Sequence, residues 1–252
     1  MKITVFGSSH GNPTPGRFQT SLLLQCGGNN YMIDAAEPAT AMLINRGICP
    51  AELTAIFVTH MHIDHTGGLP AMLYQVCKHR FKFPGSDTKV YLPDPAAPEA
   101  LYAWMRANSL AVNKFDMRIA DSTAVYTDDA IKVSFIPTRH IDCAADGSPR
   151  SFSIAIEAEG KKVIFSGDLA PDFQDFPVDF AKDCDAVFCE LTHYKLPTAI
   201  DTLKKLKSGS KLYFYHLHDP HQTPEGEAKV LDICQELPCR TMLVKDGDEI
   251  SL

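Results

Sequence analysis

An α/β fold is predicted by two features of this 252-residue chain. Short apolar, β-branched runs alternate with helical stretches along its whole length, and no repeat, low-complexity tract or long charged run breaks the alternation. The strands expected in order are Lys2–Phe6, Ser21–Cys26, Tyr31–Ile33, Ala55–Thr59, Lys89–Leu92, Ile131–Ile136, Phe152–Glu157, Lys162–Phe165, Ala186–Cys189, Lys211–Tyr215 and Thr241–Val244, all short and apolar and most carrying Val, Ile, Phe or Tyr. The helices expected between them are Pro38–Asn45, Gly68–His79, Pro98–Ser109, Pro197–Leu206 and Pro224–Leu237. Four of these five open at proline, which suits the first helical turn because its missing N–H would have no intrahelical partner there. Gly160 and Asp246-Gly247 read as hairpin turns. Residues 1–252 are expected to form one domain in two halves, with a soft boundary near residues 115–130.

Composition narrows the function. The chain is 45% hydrophobic, enough for a substantial core, yet no stretch is long and apolar enough to span a bilayer. Its start, Met1–Gly7, reads as a first strand and lacks a signal-peptide h-region, so a cytoplasmic location is expected. A net charge of −7 argues against an extended nucleic-acid surface. Eight scattered cysteines form no Cys-x-x-Cys pair and read as reduced, mostly buried thiols; Cys143, close to His140 in sequence, is a candidate to line a site there but fits packing better.

The chemistry concentrates in Thr59-His60-Met61-His62-Ile63-Asp64-His65-Thr66-Gly67-Gly68, which follows the apolar run Ala55–Val58. His60 and His62, two apart on extended chain, point the same way and can grip one divalent cation. Asp64 and His65 fall where the chain turns into a helix, within reach of a second cation. Three histidines and an aspartate within six residues would leave several donors and acceptors unpaired without a metal. Further ligands are expected at other strand ends: His140 after Val133–Ile136, Asp168 after Val163–Phe165, and His216 after Leu212–Tyr215. His216 is preferred to His218 because it ends the strand directly; His218 is left to orient a ligand.

This pattern resembles the metallo-β-lactamase superfamily across the full chain. Phe6–Arg17, Ser21–Leu24, Met32-Ile33-Asp34-Ala35 and Asp246–Ile250 resemble its ribonuclease Z-like branch. The resemblance implies a four-layer αβ/βα sandwich, two sheets face to face with helices outside and metals at one edge. It assigns His60, His62 and His140 to the first metal and Asp64, His65 and His216 to the second, with Asp168 bridging both. It also makes a homodimer a reasonable expectation. Two divalent ions, zinc first with manganese or iron as alternatives, imply a hydrolase in which a metal-bridging hydroxide attacks a phosphodiester or similar phosphoester. Asp64 is expected to orient that nucleophile.

The branch's general-acid histidine lies in a His-Ser-Thr motif, and Leu196-Pro197-Thr198 stands in its place here. His193, three residues earlier, is the substitute candidate, in a Glu190-Leu191-Thr192 segment similar to the family's Glu-Ala-Thr. Only 27 residues separate His140 from Asp168, too few for the arm with which ribonuclease Z grips tRNA in that interval. A small-molecule or short phosphodiester substrate is therefore favoured. The alternatives are a lactone, thioester or other carboxylic ester hydrolase, and a metal-stabilised binding protein without turnover. The Gly7–Gly16 loop is a candidate wall of the cleft. Arg139 and Arg150 are candidates for holding phosphate but fit solvated surface better, and Trp104, at helical spacing with Leu101 and Met105, reads as core.

Overall fold

A computed structural model describes residues 1–12, 14–83, 87–109 and 115–252; Pro13 of the quoted amino-terminal loop lies outside them. The chain forms β1 (Lys2–Gly7), β2 (Ser21–Cys26), β3 (Asn29–Ile33), α1 (Ala39–Asn45), β4 (Leu53–Phe57), α2 (Ile63–Thr66), α3 (Leu69–His79), β5 (Thr88–Leu92), α4 (Ala97–Ala107) and β6 (Phe115–Ile119). It continues through β7 (Val125–Thr127), β8 (Lys132–Pro137), β9 (Phe152–Ala158), β10 (Lys161–Phe165), α5 (Val178–Ala181), β11 (Ala186–Leu191) and α6 (Leu196–Leu203). β12 (Lys211–Leu217), α7 (Pro224–Ile233), β13 (Arg240–Leu243) and β14 (Glu249–Ser251) complete it. No helix among the described residues is long and apolar enough to cross a membrane.

Two mixed seven-stranded sheets result, in the orders β14-β1-β2-β3-β4-β5-β6 and β13-β12-β11-β10-β9-β8-β7. Strands joined by helices run parallel, as in β3 to β6 and β10 to β13; those joined by short turns run antiparallel. Alternate side chains explain the layering. In Ser21–Cys26, Leu22 and Leu24 enter the core between the sheets, whereas Leu23 joins the cluster under α1, α3 and α4. In β12, Tyr213 and Tyr215 face the other sheet, while Leu212 and Phe214 pack with α6 residues Leu196, Ala199 and Leu203. Apolar partners on both faces make these strands continuous hydrophobic runs. The architecture is the αβ/βα sandwich.

Phe57 shows how the sheets hold together. Its buried ring lies 5.2 Å from that of Tyr126 and 6.2 Å from that of Phe135, both on the opposite sheet. Phe57→Ala is expected to cost about 3–5 kcal/mol, read as a lower urea midpoint of the metal-free protein.

Some expectations fail for local reasons. Asp246-Gly247 makes no hairpin, because β13 and β14 lie in different sheets; the turn carries the chain from one sheet to the other. β6, Phe-Asp-Met-Arg-Ile, and β7, three residues long, were missed because both are edge strands with exposed positions that dilute the apolar signal. Between them the chain first crosses from one sheet to the other, inside the soft boundary at 115–130. Trp104 is 43% exposed rather than core, although Leu101 and Met105 beside it are buried.

Candidate metal centre

The carboxyl ends of the parallel strands in both sheets open on one edge, and loops following them carry the polar residues there. Immediately after β4, Thr59, His60 and His65 are buried. Gly167 after β10 has φ +58°, and a Cβ there would lie 2.6 Å from the Phe152 carbonyl oxygen; only glycine lets the chain turn to aim Asp168 inward. His216 sits in a bulge of β12, where Glu190 pairs with Tyr215 and Leu191 with Leu217. Its φ of +49°, rare for a residue with a Cβ, turns its ring into the centre.

All seven residues expected as ligands converge there. One group combines His60, His62, His140 and Asp168, and a second combines Asp64, His65, Asp168 and His216, with candidate ligand atoms in each group within 4.8 Å of one another. In the first, His62 Nδ1 lies 3.1 Å from both His60 Nε2 and His140 Nε2, and Asp168 Oδ2 lies 3.5 Å from each of those Nε2 atoms. Zinc–nitrogen bonds of about 2.0–2.1 Å in a tetrahedron place ligand atoms roughly 3.3 Å apart, so the spacing fits one ion. In the second, His65 Nε2 is 3.3 Å from Asp168 Oδ1, and His216 Nε2 is 3.4 Å from Asp168 Oδ2. Asp64 Oδ2 stands 3.7 Å and 3.8 Å from the same two nitrogens.

The tautomers leave lone pairs facing inward. His65 Nδ1–H donates to Asp34 Oδ2 at 2.7 Å, His216 Nδ1–H to Thr20 Oγ1 at 2.7 Å, and His60 Nδ1–H to Thr59 Oγ1 at 3.2 Å. Each of these Nε2 atoms is then a bare acceptor. His65 Nε2 and Asp168 Oδ1 are buried with no hydrogen-bond partner, a costly arrangement that a cation resolves. The donor set therefore fits divalent metal.

Electrostatics agree. Burial, reinforced by neighbouring histidines, holds His60 and His216 well below the usual imidazole range, and burial lowers His140 to about 4. Neutral imidazole is the ligand form. Burial alone would raise Asp168, but the histidines around it win and keep it ionised. Burial likewise opposes charge on His65, yet Asp168 and Asp34 raise it well above its ordinary value, so a metal must displace a proton there.

His193 joins the centre from a third side. Its Nδ1–H donates to Glu190 at 2.9 Å, its ring centroid lies 4.5 Å from that of His140, and Nδ1 is 3.7 Å from Asp168 Oδ2. Glu190 is fully buried, and its two oxygens also accept the backbone N–H of Leu169, Thr192 and His193. Gly11 brings the Gly7–Gly16 loop against the site: a Cβ there would stand 3.2 Å from Asp64 Oδ2. His218 is exposed, with its ring 5.2 Å from that of His10, and among the described residues its side chain makes no hydrogen bond to a ligand histidine. Arg139 and Arg150 are engaged by Asp172 and Asp94, and Cys143 is exposed rather than packed.

The sequence pattern alone assigns no role to Asp34 or Glu190. Both follow apolar strand residues, the signal that flagged Asp168, and both hold a histidine by Nδ1. Asp34 additionally accepts the Thr59 N–H and hydroxyl, from a left-handed backbone of φ +56°. Asp34→Ala is expected to weaken metal affinity about 10–100-fold, measured by competition with a chromophoric chelator.

Comparison with known proteins settles the kinship. Residues 1–237 match the family described as Anti-Pycsar protein Apyc1. The chain belongs to that family. It is a ribonuclease Z-like member of the metallo-β-lactamase superfamily. It is similar to a ribonuclease Z of Methanothermobacter thermautotrophicus, 26% identical over 142 residues, which cover 56% of this chain and 45% of the relative. It is also similar to zinc phosphodiesterase ELAC protein 1 of Bos taurus, 34% identical over 73 residues, or 29% of this chain and 20% of the relative. The chain thus spans less than half the length of these curated relatives. In fold it is similar to the metallo-β-lactamase fold protein YhfI from Bacillus subtilis, with a TM-score of 0.78 at 17% identity over 99% of this chain and 98% of that one.

Proposed function

We propose that residues 1–252 form one domain that hydrolyses a small phosphodiester at a dinuclear centre, with zinc as the native metal. The observation carrying this reading is the pair of ligand groups sharing Asp168, with His193 beside them on a buried carboxylate. Relatives named ribonuclease Z and zinc phosphodiesterase support the phosphoester class. Bound divalent cations supply Lewis-acid charge and lower the pKa of water.

The protein's own residues do the rest. His60, His62 and His140 would hold one cation and Asp64, His65 and His216 the other, with Asp168 available to both groups. Asp64 accepts a hydrogen bond from the attacking water and fixes its approach. His193 Nε2, left free because Glu190 takes Nδ1–H, gives a proton to the departing oxygen. The substrate is small because residues 141–167 hold only a loop and the β9–β10 hairpin, with no arm to grip tRNA. The net charge of −7 gives long RNA no overall electrostatic attraction.

Metal analysis combined with parallel kinetics tests this reading. Two metal equivalents and turnover of bis(p-nitrophenyl) phosphate are expected. Preference for lactones, thioesters or other acyl esters would replace the phosphodiester assignment, and a metal-loaded protein inert to every ester would make it a binding protein.

A further inference from the structure

Asp246 lies in the turn that carries the chain from β13 to β14, outside both ligand groups, yet its carboxylate holds the loop between β1 and β2 at two points. Oδ1 accepts from the Ser8 backbone N–H at 2.9 Å and the Ser8 hydroxyl at 2.6 Å, and Oδ2 accepts from the Phe18 N–H at 2.6 Å. Arg17 tightens the same knot, donating from Nη1 to Ser8 Oγ at 2.8 Å and to the Val244 carbonyl at 3.0 Å.

The tethered loop touches the centre on one side only. The Ser8 carbonyl accepts the N–H of Leu217 at 2.9 Å, fixing the chain directly after the bulged His216. Thr20 Oγ1 receives His216 Nδ1–H and donates to the Ser9 carbonyl at 3.3 Å, so the imidazole is oriented from the loop. Gly11 packs against Asp64. His216 and Asp64 both belong to the second ligand group. Among the described residues, the hydrogen bonds of residues 8–20 reach none of His60, His62 or His140.

We propose that Asp246 is a positioning residue for the second cation subsite alone, acting through Ser8 and the β1–β2 loop on His216 and Asp64. The inference rests on the two-subsite reading of the centre above. Its chemistry is that of an outer carboxylate: a bulge residue in a strained conformation keeps its aim only while its neighbours fix it, and Asp246 fixes them.

Zinc binding to the full-length metal-free protein, measured by chelator competition, tests it without any substrate. Wild type should bind two ions. In Asp246→Asn, Oδ1 still accepts from Ser8 but an amide now faces the Phe18 N–H, so one of the two dissociation constants should rise about 10–100-fold with the other unchanged. Thr20→Val, which removes the hydroxyl under His216, should weaken the same subsite, and a cobalt-loaded sample of each variant should lose the same part of its visible spectrum. Glu249→Gln, which breaks only the surface pair with Lys2 on the same C-terminal segment, should leave both constants unchanged. If Asp246→Asn does not fold, Ser8→Ala carries the same expectation by deleting one donor. Unchanged constants in Asp246→Asn, or equal weakening of both, overturn the proposal. A wild-type stoichiometry of one overturns the two-subsite reading itself and this inference with it.

Discussion

Asp168→Ala is expected to empty the centre and lower phosphodiester turnover by on the order of 10⁴-fold. Asp168 is the one residue common to both principal ligand groups, and its two oxygens face different nitrogens: Oδ1 faces His65, and Oδ2 faces His60, His140 and His216. On the proposed two-cation reading, loss of a ligand from one group would weaken one ion, whereas loss of Asp168 would weaken both and remove the negative charge that offsets them. Charge stabilisation by bound cations is worth several kcal/mol in the transition state, and each factor of ten corresponds to about 1.4 kcal/mol. The variant should keep its fold, because the core between the sheets lies away from this edge. Elemental analysis, circular dichroism and turnover on one preparation check the result. A folded Asp168→Ala protein that retains two metals, or a tenth of the wild-type rate, would remove the bridging role.

The same residue shows why the centre was legible before the fold was known. Metal ligands are polar residues that sequence places at the ends of apolar strands, where an unpaired histidine or carboxylate is costly, so His60, His62, Asp64 and His65 stand out as a cluster, and His140, Asp168 and His216 as the same pattern recurring after three more strands. What the sequence hides is pairing across space. Nothing in Tyr31-Met32-Ile33-Asp34 says that its carboxylate lies 2.7 Å from His65 Nδ1, since that contact depends on β3 lying parallel to β4. The same holds for Asp246, whose Asp-Gly signal suggested a hairpin but whose carboxylate closes a contact 238 residues away in the chain. The long parallel strands were legible because both of their faces are buried. The edge strands β6 and β7 were not, because tertiary pairing rather than hydrophobic pattern makes them strands.

His193→Ala is expected to reduce turnover by about 10²–10⁴-fold on substrates with a poor leaving group, and far less on p-nitrophenyl esters, whose leaving group departs without a proton. A purely structural defect would slow both classes alike, so the ratio isolates proton donation. The pH profile gives a second reading. Burial lowers the His193 pKa, but its hydrogen bond and charge interaction with Glu190, joined by the charge of Asp168, reverse the effect and raise it from 6.5 to about 9. A group raised in the folded state is protonated, and competent to donate, at neutral pH. Its contribution to stability is likewise complete below 6.5 and is lost as pH climbs through about 9. The rate should therefore fall along an alkaline limb. Cations bound near Asp168, whose Oδ2 is 3.7 Å from Nδ1, would disfavour the imidazolium, so the limb should lie at or below about 9. Glu190→Gln removes the principal group that raises the value while burial persists, so the limb should move to lower pH and the rate at neutral pH should drop with it. An alkaline limb that stays in place in Glu190→Gln, or a His193→Ala protein whose loss is the same for good and poor leaving groups, would return His193 to the role of a neighbour that packs against His140.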